Sequence, residues 1–140
     1  GNERTSYAHV AGKRMQMAAI EQFLESIDDE EYQTRFNDLS VRLDSLDITV
    51  LRVLATLANG ASPGNESSIL KIMATELAQD ITELGMVVRQ YAGIASFSDD
   101  MPDRAASKAT VDYLGTRSQS IYGGSNEIQK NIIAKRVLGL

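Results

Sequence analysis

The sequence predicts an all-α domain built as an up-down four-helix bundle. Apolar residues recur at spacings of three and four along much of the 140-residue chain, which places them on one face of a helix. Glycine, proline and asparagine cluster at a few points only, so the helices are long and the loops short. No segment shows the sustained alternation of apolar and polar residues that is typical of a strand. Long helices joined by short loops pack as a bundle.

The first helix is predicted over residues 3–27, a segment rich in Ala, Met, Gln, Glu and Arg. Lys13 and Arg14 interrupt its apolar stripe. His9 is the single histidine of the chain, and we interpret it as a packing or surface residue rather than as a ligand or a catalytic base. The stripe consists of Tyr7, Val10, Met17, Ile20, Leu24 and Ile27.

The second helix is predicted to begin at Asp28, because a carboxylate three residues before Glu31 resembles a capping box. The acidic run 28–31 could suggest a metal site, but carboxylates are favoured at a helix N-terminus in any case. The helix ends at Asn59-Gly60. Leu51 and Leu54 widen its stripe, so we expect it to contact more than one neighbour. The stripe consists of Phe36, Leu39, Leu43, Leu46, Val50, Val53 and Leu57.

The third helix is predicted over residues 67–91, followed by an exposed loop over 92–104 and a shorter helix over 105–114. Residues 120–125 interrupt the helical pattern. The last helix covers 126–138, with Ser125 or Asn126 as its N-cap. The predicted core consists of Leu39, Leu43, Leu46, Val50, Leu77, Ile81, Leu84 and Val88.

Composition excludes several classes of function. The chain has no cysteine, so it has neither disulfides nor a thiolate metal site, and we predict no metal. Its net charge of −5 and its scattered basic residues argue against a nucleic-acid partner. The sequence contains no run of about 18 apolar residues, so we predict no membrane span. We expect a cytoplasmic location.

The last 21 residues, SIYGGSNEIQKNIIAKRVLGL over 120–140, resemble the C-terminal signature of the acyl-CoA dehydrogenase family. Residues 2–5, NERT, resemble the entry to the first long helix of that family's C-terminal domain. The resemblance implies that residues 1–140 form this C-terminal helical domain, and that the family's N-terminal helical domain and middle β domain lie outside this chain. An unrelated helical scaffold is disfavoured by the tail motif.

The resemblance also implies a reaction of lipid metabolism, of the kind used in fatty acid oxidation. A carboxylate removes the α-proton of an acyl-CoA thioester, and the β-hydrogen leaves as hydride to the flavin of FAD, which gives the enoyl-CoA. The isolated domain is expected to be inactive, because the family's active site lies between the middle domain and this bundle.

The resemblance implies site residues at both ends of the chain. The backbone N–H of Gly123 is the implied donor to the enolate oxygen, with Tyr122 and Gly124 beside it at the substrate; the alternative is that the two glycines form only a flexible turn. Many members carry a catalytic Glu at the position of Gly123, and a second group carries the base at the position of Glu3. Glu3 is therefore the candidate base, with Arg4 in the CoA-facing region; the alternative is that Glu3 only favours a helix N-terminus.

Ser125 and Glu127 match family positions that touch FAD, although a carboxylate at Glu127 would repel a pyrophosphate, so the helix backbone could matter more. Two departures weaken the implied flavin contacts. Residues 28–37 lack the family's Arg-x-x-Phe-Gly stretch, and residues 90–97 lack its Gly-Gly-x-Gly turn. Both losses resemble members that form one half of mixed two-subunit enzymes. The alternative function is therefore a non-catalytic partner subunit or assembly domain of a mixed two-subunit enzyme. We expect the chain to form a homo-oligomer or a hetero-oligomer with a homologous subunit.

Overall fold

The computed structural model describes residues 8–60, 64–89 and 104–140. Within these residues the helices are α1 (Val10–Leu24), α2 (Glu30–Ala58), α3 (Glu66–Val88), α4 (Arg104–Arg117) and α5 (Asn126–Ile133). A 3₁₀ turn, Ser118–Ser120, follows α4, and a π-helical turn, Ala134–Leu138, continues α5. The described ranges contain no strand. The predicted all-α class is confirmed.

Helix α3 is the centre of the bundle, because each of the other four helices packs against it. The α2–α3 pair is antiparallel, as two ion pairs between them show: Arg42 Nη2 lies 2.8 Å from Asp80 Oδ2, and Arg35 Nη2 lies 3.5 Å from Glu83 Oε1. Helix α1 completes the up-down-up arrangement by packing on both α2 and α3. The predicted helical bundle is confirmed.

The core lies where α1, α2 and one face of α3 meet. Seven of the eight predicted core residues are buried there, and Val50 packs against the cluster while staying partly exposed. The buried cluster extends onto α1 through Met17, Ile20 and Leu24. The confirmed members of the predicted core are Leu39, Leu43, Leu46, Leu77, Ile81, Leu84 and Val88.

The starts of α1 and α2 differ from the predictions. Helix α1 begins at Val10, because His9 adopts a left-handed backbone conformation with φ of 36° and closes the helix at its N-terminal side. Helix α2 is capped by Asp29 and not by Asp28: Asp29 Oδ1 accepts hydrogen bonds from the N–H groups of Glu31 at 2.9 Å and Tyr32 at 3.3 Å. The cap therefore lies one residue later than the capping-box pattern predicted.

The expectation that α2 contacts more than one neighbour is confirmed, since α2 packs on both α1 and α3. Leu51 and Leu54, which suggested it, nevertheless lie outside the core of the described residues. Their exposed fractions are 60% and 44%, because the core lies on the opposite side of the helix. Val41 and Ile48 are also exposed. We call Val41, Ile48, Leu51 and Leu54 the outer apolar face of α2.

The C-terminal half follows the predictions more closely. Helix α3 begins one residue before the predicted start, and residues 90–103 lie outside the described residues. Helix α4 extends three residues beyond its predicted end, where Arg117 Nη2 donates to the backbone carbonyl of Gln79 on α3 at 2.6 Å. Ser125 is the N-cap of α5, as predicted, and its Oγ accepts from Ile128 N–H at 3.4 Å.

Lys13 and Arg14 interrupt the apolar stripe of α1 for different reasons. Arg14 turns toward α2 and pairs with Asp44 and Asp47 at 3.0 and 2.8 Å. Lys13 turns inward, with only 4% of its surface exposed, and its Nζ donates to the carbonyl of Ala8 at 2.7 Å. This burial lowers the pKa of Lys13 from 10.5 to about 8, because a low-dielectric environment disfavours the charged amine.

We predict that Leu46→Ala lowers the free energy of unfolding by roughly 2–5 kcal/mol, because Leu46 is fully buried and its loss leaves a cavity. Thr34→Ala is the control on the same helix, since Thr34 is exposed and lies outside the outer apolar face; we expect it to change stability by less than about 0.5 kcal/mol. Urea denaturation of both variants measures the difference. Equal costs at the two positions would contradict the assigned burial.

We also predict that Lys13 makes stability depend on pH between about 8 and 10.5. In this window the unfolded chain still carries the proton on Lys13, whereas the folded chain has lost it. Because the unfolded state then binds more protons, the free energy of unfolding rises with pH. Lys13→Met removes this rise, so the wild type should gain stability relative to the variant between pH 7.5 and pH 10. Lys135→Met, at an exposed position, is the control. If the difference in unfolding free energy between the wild type and Lys13→Met does not change with pH, then Lys13 titrates alike in the folded and unfolded states, and the prediction is wrong.

Candidate functional site

A groove of about 780 Å³ runs between α1 and α4, and α3 forms its floor. The walls include His9, Lys13 and Gln16 from α1 and its entry, and Asp112 and Thr116 from α4. Its volume lies in the range of small-molecule sites in proteins. The floor is mostly apolar or small, and one end is closed by Tyr122.

The groove depends on a close approach between α1 and α3. A Cβ placed on Gly85 would lie 3.5 Å from Ile20 Cδ1, an ordinary van der Waals contact, so Ile20 packs directly over Gly85. One turn later, the Arg89 guanidinium lies 4.3 Å from the centre of the Phe23 ring. These two contacts show that α1 and α3 run in the same direction.

The direction of α4 brings two distant parts of the sequence to one end of the groove. Thr116 Oγ1 lies 2.9 Å from Thr82 Oγ1, and the chain beyond Thr116 continues toward the start of α3. The start of α1 lies at this same end, because α1 is parallel to α3. His9 and Tyr122 therefore line the same groove, although 113 positions in the sequence separate them.

The turn over residues 121–124 contains the predicted glycine pair. Gly123 and Gly124 have φ values of 69° and 92°, a left-handed conformation that costs side-chain-bearing residues energy. Ile121 and Tyr122 are 70% and 49% exposed. The two glycines are exposed as well, so the backbone of this turn is accessible beside Tyr122, which lines the groove.

The second buried face of α3 is polar and supports this turn. Ser68, Lys71, Thr75 and Thr82 are all buried, at spacings that place them on one side of the helix. Buried polar groups need hydrogen-bond partners. Gln79 Nε2, at the edge of this face, donates to Thr116 O at 3.2 Å and to Ser120 Oγ at 3.1 Å. These bonds attach the end of α4 and the 3₁₀ turn to α3.

Lys71 makes the direct contact between α3 and the glycine turn. Its Nζ donates to the carbonyl of Gly124 at 2.8 Å and lies 3.5 Å from Asn126 Oδ1. Asn126 Nδ2 in turn donates to Thr75 Oγ1 at 3.1 Å. Burial lowers the pKa of Lys71, and the negative charge of Glu127 opposes this shift.

Ser125 and Glu127 lie at the N-terminus of α5, directly after the turn. The pKa of Glu127 is lowered, first by a hydrogen bond from its own backbone N–H and then by one from the Ser125 hydroxyl. Helix N-termini favour anions, and here the fully exposed Glu127 carboxylate occupies that end. An external phosphate could approach the same N-terminus only with the Glu127 side chain turned away.

Of the seven predicted site residues, Tyr122 lines the groove, and Gly123, Gly124, Ser125 and Glu127 follow it in the turn and at the start of α5. Glu3 and Arg4 lie outside the described residues. Sequence analysis missed the supporting role of Lys71. The signal that could have found it is the recurrence of small or hydroxyl residues at 68, 75 and 82 on the side of α3 opposite its leucines.

Residues 10–138 match the family model described as acyl-CoA dehydrogenase, C-terminal domain. The chain is 42% identical over 89 residues to acyl-CoA dehydrogenase IpdE1 of Mycobacterium tuberculosis, an alignment covering 62% of this chain and 22% of that protein. It is 29% identical over 89 residues to acyl-CoA dehydrogenase FadE34 of the same organism, covering 64% of this chain and 11% of that protein. The alignments thus span about a fifth or less of these relatives.

A solved structure shares the fold. The crystal structure of the ChsE4-ChsE5 complex from Mycobacterium tuberculosis superimposes with a TM-score of 0.78 at 21% identity, covering 95% of this chain and 36% of that chain. Among the helices of the described residues, none is long and apolar enough to cross a membrane.

Proposed function

The chain belongs to the acyl-CoA dehydrogenase family, and we propose that it is the C-terminal domain of a flavin-dependent enzyme that oxidises an acyl-CoA thioester to the enoyl-CoA. One observation carries the proposal. The exposed glycine turn and the entry to α1 lie at the same end of a groove of about 780 Å³. His9, which follows the N-terminal motif in the sequence, and Tyr122, within the C-terminal motif, line this groove together, which supports the proposal that one ligand contacts both segments.

The chemistry of this reaction sets the requirements for the site. The α-proton is only weakly acidic, so a carboxylate held in a dry environment must remove it, and fixed donors must stabilise the enolate oxygen that develops. The β-hydrogen leaves with its electron pair as a carbon–carbon double bond forms. Acyl-CoA dehydrogenases are generally FAD-dependent, and a bound FAD supplies the two-electron acceptor for that hydride.

Gly123 is proposed to provide one donor through its backbone N–H. A backbone donor does not depend on a side chain, and both glycines are exposed directly after Tyr122, which lines the groove. Tyr122 forms the wall beside it, and Gly124 lets the chain pass close to the ligand. Glu3 is proposed as the base and Arg4 as a contact to CoA, since the segment that carries them leads into His9 at this end of the groove.

The N-terminus of α5 fits the diphosphate of FAD, provided that the exposed Glu127 side chain rotates away. Ser125 would then hold the flavin through its hydroxyl, while the α5 backbone supplies the positive end of the helix dipole. Lys71 adds a positive charge beneath this end of the helix. Flavin binding by this chain is part of the proposal.

A second candidate function is a partner subunit that supports a neighbour's flavin without its own catalysis. The specific observation in its favour is the start of α2, where Asp28, Asp29, Glu30 and Glu31 are all exposed in the region where the resemblance implies an Arg-x-x-Phe-Gly stretch. The ChsE4-ChsE5 structure is a complex of two different subunits. Flavin content of the full-length protein, purified alone and with a homologous subunit, separates the two candidates.

A cytoplasmic location also stays a prediction.

We predict that Glu3→Gln in the full-length protein lowers turnover by at least about 10²-fold while flavin content stays unchanged, because the amide keeps the shape of the side chain but cannot accept the proton. Exchange of the substrate α-proton with deuterated solvent measures the step directly. Gly123→Glu in this variant should restore part of the exchange, though not all of it, because a side chain at φ of 69° is strained. Normal exchange by Glu3→Gln would show that Glu3 is only a helix-end carboxylate.

We further predict that the chain associates through the outer apolar face of α2, as a homo-oligomer or with a homologous subunit. Ile48 and Leu51 are each 60% exposed, and contiguous exposed apolar surface is typical of interfaces. Ile48→Asp with Leu51→Asp should shift sedimentation of this chain toward the monomer. Glu21→Lys, at an exposed position on α1, is the control. A wild-type chain that sediments strictly as a monomer, both alone and with a homologous subunit, would contradict the prediction.

A further inference from the structure

Lys71 is the most deeply buried cation near the glycine turn, with 3% of its surface exposed. Its Nζ donates to the Gly124 carbonyl, 53 positions further along the chain, at 2.8 Å. A charged donor makes a stronger hydrogen bond than a neutral one. Gln129 Nε2 is a second donor to the same carbonyl, but at 3.4 Å. The Lys71 bond is therefore the principal attachment of this peptide.

Helix stability alone does not account for a lysine at this position. Burial disfavours the ammonium, and its neighbour is the N-terminus of α5, whose dipole repels a cation. The Glu127 carboxylate attracts the ammonium, but it is fully exposed to solvent, which weakens the attraction. An apolar residue at 71 would avoid both costs. The contact that compensates for them is the one to the Gly124 carbonyl.

The two glycines give the turn little rigidity of their own, so contacts from neighbouring elements must fix its conformation. Gly123 and Gly124 have no side chains, and glycine has more conformational freedom to lose than any other residue. Asn126, which follows the turn, is held by Thr75 through the bond between Asn126 Nδ2 and Thr75 Oγ1. Lys71 lies one helical turn from Thr75 on the same face of α3, so the two residues hold consecutive parts of the backbone.

We propose that Lys71 is a positioning residue, whose ammonium binds the Gly124 carbonyl and thereby fixes the direction of the Gly123 N–H toward the groove. The inference deepens the proposed function, since the oxyanion is the group that this N–H would bind. Lys71 itself lies beneath the turn and acts through the backbone. The order of the turn can be measured without any activity, so the inference and the proposed reaction can fail separately.

The test compares Lys71→Met with Thr82→Val in this chain. Thr82 is buried on the same face of α3 and bonds Thr116 at 2.9 Å, so its loss reports the effect of breaking a buried contact away from the turn. ¹⁵N relaxation gives order parameters for the amides of Gly123, Gly124 and Ser125. In the wild type and in Thr82→Val we expect values near those of a rigid backbone, about 0.85, and in Lys71→Met we expect them to fall below about 0.6.

Lys71→Gln, which is shorter and neutral, is a second variant in case Lys71→Met does not fold, and it should loosen the same three amides. Unchanged order parameters in a folded Lys71 variant would overturn the inference. So would an equal loss of order in Thr82→Val, because the effect would then be general destabilisation.

The full-length enzyme provides a second readout. If the wild type oxidises an acyl-CoA, Lys71→Met should lower kcat at least tenfold while KM and flavin content stay close to wild type, since a displaced donor weakens transition-state stabilisation most. An unchanged kcat would overturn the positioning role. A wild type without activity contradicts the proposed function, and the order parameters still decide the role of Lys71.

Discussion

Helix α3 must satisfy two different environments at once, and the rest of the structure is arranged around this constraint. One face of the helix carries Leu70, Leu77, Ile81 and Leu84, which are almost completely buried against α1 and α2. The other face carries Lys71, Thr75 and Thr82, also buried, against α4 and α5. The apolar face contributes stability through burial. The polar face fixes where α4 and α5 lie, because each buried hydrogen-bonding group requires a partner in a defined place.

The polar face explains why a turn of two glycines can have a defined position. Thr82 and Gln79 attach the end of α4, and Thr75 and Lys71 attach the residues around the turn. The apolar face acts on the other wall, where Ile20 of α1 packs over Gly85 of α3. The groove is thus bounded by one helix held through apolar contacts and by another held through hydrogen bonds. The entry to α1 and the glycine turn meet at its end as a consequence.

The sequence allowed the bundle, its helices and most of the core to be predicted, because apolar stripes at spacings of three and four fit few structures other than a packed amphipathic helix. It could not distinguish Asp28 from Asp29 as the cap of α2, since both precede the helix and the choice depends on local backbone geometry. It correctly indicated that α2 has more than one neighbour, but Leu51 and Leu54 stay exposed, because an apolar residue does not indicate whether its partner lies in the same chain. Lys13 and Lys71 were missed as buried groups, since lysine in a helix is ordinarily exposed.

The central claim is that the entry to α1 and the turn at Tyr122 lie at the same end of one groove. The chain has no cysteine, so spin labels can be attached to cysteines introduced in pairs and the distances measured by double electron–electron resonance. The pair His9→Cys and Tyr122→Cys tests the shared end, and the pair Glu25→Cys and Tyr122→Cys is the reference across the length of α1. Since a helix rises about 1.5 Å per residue, the first distance should be shorter than the second by on the order of 10 Å or more. Equal distances, or a shorter second distance, would contradict the arrangement.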